Sequence, residues 1–164
     1  MTEGHGVEVP GSRTMDRTVV HPDVLLVEDS EQDAELTLRV LRRFSLAHRI
    51  VWVRDGAEAL EFLFGEAANG STPLAAAPRV VLLDIKMPRV DGHEVLRRVK
   101  GDPRSRHIPV VMMTSSRLDA DIASSFDSGA NSYVVKPVGY DEFSDTMRQV
   151  GAYWLRLNQP SEAR

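Results

Sequence analysis

Apolar residues in this chain fall into short unbroken runs. Between the runs lie longer segments in which apolar residues recur every three or four positions. The runs are VLLV (24–27), RIVWV (49–53), VVLL (80–83), IPVVMMT (108–114) and SYVVK (132–136). Their length and β-branched content predict strands, and the lack of polar alternation predicts strands covered on both faces. The first intervening segment keeps Leu36, Val40, Leu41 and Phe44 at helical spacing, and Ser30 with Asp33 three places on predicts its N-terminal cap. A second helix is expected over 55–64, with Ala59, Leu60, Phe62 and Leu63 apolar, and a third over 91–100, with Val95, Leu96 and Val99 facing in. A fourth is expected over 118–129, closing at Gly129. The last runs from 140 to about 157.

Strand and helix therefore alternate five times. That order predicts an α/β fold, a parallel sheet with helices on both faces joined by right-handed crossovers. Residues 1–22 mix Gly, Pro, Ser and charge without a period and are expected to form a flexible N-terminal tail; 23–157 would be the folded domain and 158–164 a short C-terminal tail. Residues 65–78, GEAANGSTPLAAAP, predict a long surface connection.

Composition narrows this picture little. A length of 164 residues suits one domain with a real core, and 42% hydrophobic with 27% charged residues is ordinary for a globular chain. The net charge of -4 gives no reason to expect nucleic acid as a partner. There are no cysteines, which removes disulfides, thiolate metal sites and thiol catalysis. No apolar run approaches the ~20 residues of a membrane span, and the N-terminus lacks a signal-peptide layout. A cytoplasmic location, away from membranes, is the expectation.

Ligands of such sheets sit at the carboxyl ends of the strands. There strand one ends in Glu28-Asp29, strand three in Asp84, strand four in Thr114-Ser115 and strand five in Lys136-Pro137. Each has an ordinary explanation by itself. The acid pair could favour a helix N-terminus, Asp84 could form a turn, Thr114 could cap a loop, and Lys136 could be solvated. Their joint placement on one edge asks for more. Clustered carboxylates raise one another's pKa, and a divalent cation removes the conflict. Oxygen ligands with room for water and phosphate suit Mg2+. An ammonium and a hydroxyl beside the metal would complete a site that stabilises a phosphoryl group in transfer to a carboxylate.

With Glu28-Asp29, the D-x-x-M-P-x-x-D-G run from Asp84 to Gly92, Thr114 and Y-V-V-K-P at 133–137, the chain resembles the receiver domain of two-component response regulators over roughly residues 23–157. The resemblance implies a doubly wound, flavodoxin-like five-stranded sheet of order 2-1-3-4-5. It implies that Asp84 accepts a phosphoryl group from a sensor histidine kinase. Mg2+ would be held by Glu28, Asp29, Asp84 and the backbone carbonyl of Lys86. Thr114 and Lys136 would contact phosphoryl oxygens, with Thr114 and Tyr133 as the moving pair of a switch. It also implies a cis bond between Lys136 and Pro137, the one residue type before which cis is cheap. The long 65–78 connection and the 97–111 run further resemble small receivers paired with bacterial phytochrome-type kinases.

Three rivals are weaker. A dehalogenase-type phosphatase would carry a second acid two places after the nucleophile, where Lys86 stands. A nucleotide binder would carry a Gly-rich loop after strand one. A binding module of the same fold that never turns over phosphate would have no use for the full acid, hydroxyl and lysine set. The histidines at 5, 21, 48, 93 and 107 show no metal spacing, and His93 and His107 are expected at the surface. After Leu157 only NQPSEAR remains, so no output domain is expected and output would pass through partners. In the last helix Phe143, Met147, Val150, Trp154 and Leu157 share a face. Its late apolar residues predict a homodimer through helix four, strand five and helix five.

Overall fold

The computed structural model describes residues 21–65 and 77–161. The expected tail over 1–22 and the 65–78 connection fall largely outside them. Five strands, β1 (Val24–Val27), β2 (Ile50–Val53), β3 (Val80–Leu83), β4 (Val110–Thr114) and β5 (Ser132–Val135), form one parallel sheet in the order β2-β1-β3-β4-β5. Five helices alternate with them: α1 (Glu31–Arg43), α2 (Gly56–Phe64), α3 (Gly92–Gly101), α4 (Asp119–Asp127) and α5 (Tyr140–Ala152).

Both faces of the sheet are covered, which is why the strands read as unbroken apolar runs. Leu25, Val27, Val81, Leu83, Val110 and Met112 point to a core built with Ala59 and Leu63 of α2 and Val95, Leu96 and Val99 of α3. Val24, Leu26, Val80, Leu82, Val111 and Met113 point the other way, to Val40 and Leu41 of α1 and Phe143 and Met147 of α5. Each fully buried Val, Leu or Met contributes about 1.5–3 kcal/mol relative to exposure, so alternation within five short strands fixes the layers.

Helix ends follow local chemistry. Ser30 Oγ accepts from the Asp33 amide at 3.3 Å, as its spacing predicts. Asp55 and Asp91 cap α2 and α3 in the same way. Gly129, past the end of α4, takes a φ of 95°, which a residue with a Cβ rarely adopts.

Phe44 keeps the helical period of α1 but is its C-cap, 39% exposed, with the Arg43 guanidinium over its ring. Two expectations need correcting. The last helix does not run unbroken to 157. It widens after Ala152 into a π-helical turn, Tyr153–Leu157, which buries Leu155 and leaves Tyr153 and Leu157 exposed. The Lys136–Pro137 bond is trans, as is every peptide bond among the described residues. Trans is the lower-energy isomer by about 0.5–1 kcal/mol even before proline.

Candidate functional site

Strand register assembles the site. Val27 of β1 lies beside Val53 and Leu83, so the next residues in line are Glu28 and Asp84. The ladder continues through them: the Glu28 amide donates to Val53 O at 3.1 Å and the Asp84 amide to Val27 O at 3.1 Å. Across β4 and β5, Thr114 pairs with Val135, and the Lys136 amide donates to Thr114 O at 2.8 Å.

Oxygen atoms from Glu28, Asp29 and Asp84 all lie within 4.8 Å of one another. Glu28 and Asp84 are buried, and Asp29 is exposed at the rim. Lys136, its side chain only 9% exposed, crosses from β5 and pairs with Glu28 Oε2. It also reaches Asp84 Oδ2 at 3.4 Å and Asp33 Oδ2 at 3.0 Å. Asp33 lies in the first turn of α1 and looks in sequence like a helix-start acid. Its place beside Lys136 has no sequence signal apart from that turn.

Further contacts hold the acids in place. Asp84 Oδ1 accepts from the Ile85 amide at 2.7 Å, Glu28 Oε1 from the Ser30 amide at 3.0 Å, and the Glu28 carbonyl from Trp52 Nε1 at 2.9 Å. Burial pushes the Glu28 carboxyl up to about 7 even though Lys136 pulls it down. Burial works against the Lys136 ammonium as well, but Glu28 and Asp84 outweigh it and hold Lys136 above its ordinary range. One ammonium thus serves three carboxylates besides the exposed Asp29, which leaves negative charge in excess. Hard, crowded oxygen donors in excess of their counter-charge fit a small divalent cation.

Thr114 is buried, and its Oγ1 accepts from the Ser116 amide at 3.2 Å. Tyr133 packs its ring partly into the α2–α3 core, and its hydroxyl donates to Ser116 O at 3.0 Å. Ser116, unremarked in the sequence, therefore touches both Thr114 and Tyr133. Its own hydroxyl donates to Asp121 of α4. The other oxygen of Asp121 lies 3.8 Å from His93 Nε2. His93 is not at the surface as expected: its side chain is 14% exposed and lies between α3 and α4, with Nδ1 buried and unpartnered. A lone histidine on a helix carries no signal of burial when the partner is a later helix. Lys86 projects outward, exposed.

Residues 24–148 match the family described as the response regulator receiver domain. The chain belongs to that family. Among solved structures, the Mn2+-bound form of response regulator Rcp1, a protein of Synechocystis sp., superposes with a TM-score of 0.76 at 32% identity, covering 86% of this chain and 99% of that one. The phosphorylated cyanobacterial phytochrome response regulator RcpA gives 0.76 at 34%, covering 87% and 100%. The curated relative "Probable methanogenesis regulatory protein FilR2" of Methanothrix harundinacea (strain 6Ac) is 40% identical over 136 residues, 83% of this chain and 85% of its own. This receiver is thus a signalling domain homologous to response regulators that include the cyanobacterial phytochrome response regulator RcpA. Among the described residues no helix is long and apolar enough to cross a membrane.

Proposed function

We propose that this receiver accepts a phosphoryl group on Asp84 from the phosphohistidine of a sensor histidine kinase, with Mg2+ as the required ion. The observation that carries the reading is the meeting of Asp84 with Glu28, Asp29 and Lys136 at one strand edge. Glu28, Asp29, Asp84 and the Lys86 carbonyl would hold the metal. When bound, it supplies positive charge against the acids and the arriving phosphoryl oxygens.

The chain's own groups do the rest. An Asp84 carboxylate oxygen attacks phosphorus, the P–N bond to the donor imidazole breaks with its electron pair passing to nitrogen, and the imidazole, which already carries a proton on its other ring nitrogen, leaves neutral. Lys136, already 3.4 Å from Asp84 Oδ2, takes one phosphoryl oxygen. The Thr114 hydroxyl, which accepts from Ser116, keeps its own proton to donate to another. The small exposed Ser115 leaves room beside it. Enzymatic chemistry is limited to forming and hydrolysing this acyl phosphate. The phosphoryl adds about 1.5–2 negative charges, and drawing Thr114 toward it disturbs the Ser116 contacts to Tyr133 and α4. That biases a two-state surface.

The surface is the face of α4, β5 and α5. Leu118 and Phe126 of the α4 region are 61% and 51% exposed, and Tyr140 at the start of α5 is 51% exposed. A second copy of the chain is the proposed occupant, and a phytochrome-type kinase in the cytoplasm is the proposed donor, by likeness to the phytochrome response regulator RcpA. Incubation with Mg2+ and a small phosphoramidate donor should place one alkali-labile phosphoryl on the wild type and none on Asp84→Asn; equal labelling of both would overturn the assignment. Sizing at high micromolar concentration should show dimer, with the dimer fraction changed by beryllofluoride. Monomer under both conditions would remove the dimer from the reading.

A further inference from the structure

Apart from the Ile85 amide, which donates to Asp84 Oδ1, the segment between Asp84 and α3 is held by contacts that touch none of the reactive carboxylates. Arg89 within it has a φ of 66°, in the left-handed region where a Cβ is crowded. Its guanidinium pairs with Asp55, whose side chain is only 7% exposed at the start of α2. Asp55 uses its other oxygen to cap α2, accepting from the Glu58 amide at 2.9 Å. The hydrogen bond from Arg89 holds the Asp55 carboxyl below the usual carboxylate range.

Two glycines close the segment from either side. A Cβ on Gly56 would lie 2.2 Å from the Val90 carbonyl oxygen, and one on Gly92 would lie 2.0 Å from that of Asp84. The Gly92 amide donates to Ile85 O at 2.8 Å. The loop is therefore pressed between the starts of α2 and α3, with Arg89 tied across it. A glycine at 89 would adopt the same backbone without strain but could not reach Asp55. A strained, non-glycine residue persists only where its surroundings over-determine it, and here the buried acid does so.

We propose that the Arg89–Asp55 ion pair is a positioning clamp for the metal-binding loop, fixing the backbone that carries the Lys86 carbonyl relative to Asp84. The proposal rests on the Mg2+ reading above. Mg2+ demands ligands near 2.0–2.1 Å in octahedral array, so a backbone carbonyl serves only if its loop is held still. Arg89 and Asp55 touch no reacting atom and act through that loop.

The test is a Mg2+ titration read by Trp52 fluorescence. Trp52 donates to the Glu28 carbonyl, and Trp154→Phe removes the second of the two tryptophans. The variant is Asp55→Asn with Arg89→Asn. It removes one charge of each sign, keeps a capping side chain at 55 and places at 89 a residue that tolerates a positive φ. Its Mg2+ Kd should rise about tenfold, the lower end for loss of an outer-shell partner, while Arg89→Lys should recover part of the loss. A urea midpoint in metal-free buffer reports the purely structural effect. A lowered midpoint with a wild-type Kd would overturn the clamp. No Mg2+ response when Asp55 and Arg89 are intact would overturn the metal reading, and the clamp with it.

Discussion

Two shielded lysines stand at opposite edges of the same sheet. Lys136, at the carboxyl edge, faces Glu28, Asp33 and Asp84. Lys100, at the end of α3, donates to the carbonyls of Arg106 and Ile108 at 3.1 and 2.7 Å and to Asn131 Oδ1 at 2.8 Å. Burial pushes Lys100 down to about 8, because its partners are neutral dipoles. The carboxylates hold Lys136 above the ordinary lysine range despite the same penalty. The difference separates a fastener from a site. Lys100 ties the end of α3 to the starts of β4 and β5, and Asn131 Oδ1 also accepts from the Val110 amide at 2.9 Å. Lys136 sits among charges that a metal and a phosphoryl group could claim, so its contacts can be exchanged.

Replacing each lysine by methionine should pull the two roles apart. The largest effect is expected in phosphoryl uptake: Lys136→Met should cut labelling by at least about 100-fold, the scale of losing one oxyanion donor, whereas Lys100→Met should label at the wild-type rate. Equal losses would erase the distinction. In metal-free buffer Lys136→Met leaves Glu28 and Asp84 without their ammonium, and urea unfolding should show a loss of about 3–5 kcal/mol. Saturating Mg2+ should return much of it. Lys100→Met should lose about 1–3 kcal/mol, the cost of unpaired acceptors, and Mg2+ should leave that loss unchanged.

The smallest effect is in pH. The folded pKa of Lys100, about 8, lies below its ordinary 10.5, so the unfolded chain binds more protons between these values. Stability should therefore rise with pH across that window. Urea midpoints of wild type against Lys100→Met should show the rise in the first and a flatter profile in the second.

The strands and their edge were legible because burial on both faces writes itself as unbroken apolar runs, and carboxyl-end residues follow each run directly. The residues now brought together at that edge, Glu28, Asp29, Asp84, Thr114 and Lys136, come from four such runs. What escaped depends on packing between elements far apart in sequence. Asp33 reaches Lys136 across 103 positions. His93 is shielded by a helix that begins 26 residues later, and Phe44 turns outward although it keeps the helical period of α1. The Arg89–Asp55 pair joins two loops and needs a backbone angle that sequence does not print. The trans Lys136–Pro137 bond corrects an expectation taken from family resemblance, since energy differences near 1 kcal/mol leave either isomer open to context.

If a divalent ion relieves the crowded acids and readies Asp84 for phosphorylation, the rate of phosphoryl uptake must track the binding of Mg2+ when both are measured over the same concentration series. The two curves should superimpose, with uptake vanishing in chelator. Full-rate labelling of Asp84 in chelator, or a labelling curve that ignores the binding isotherm, would contradict that role of the ion.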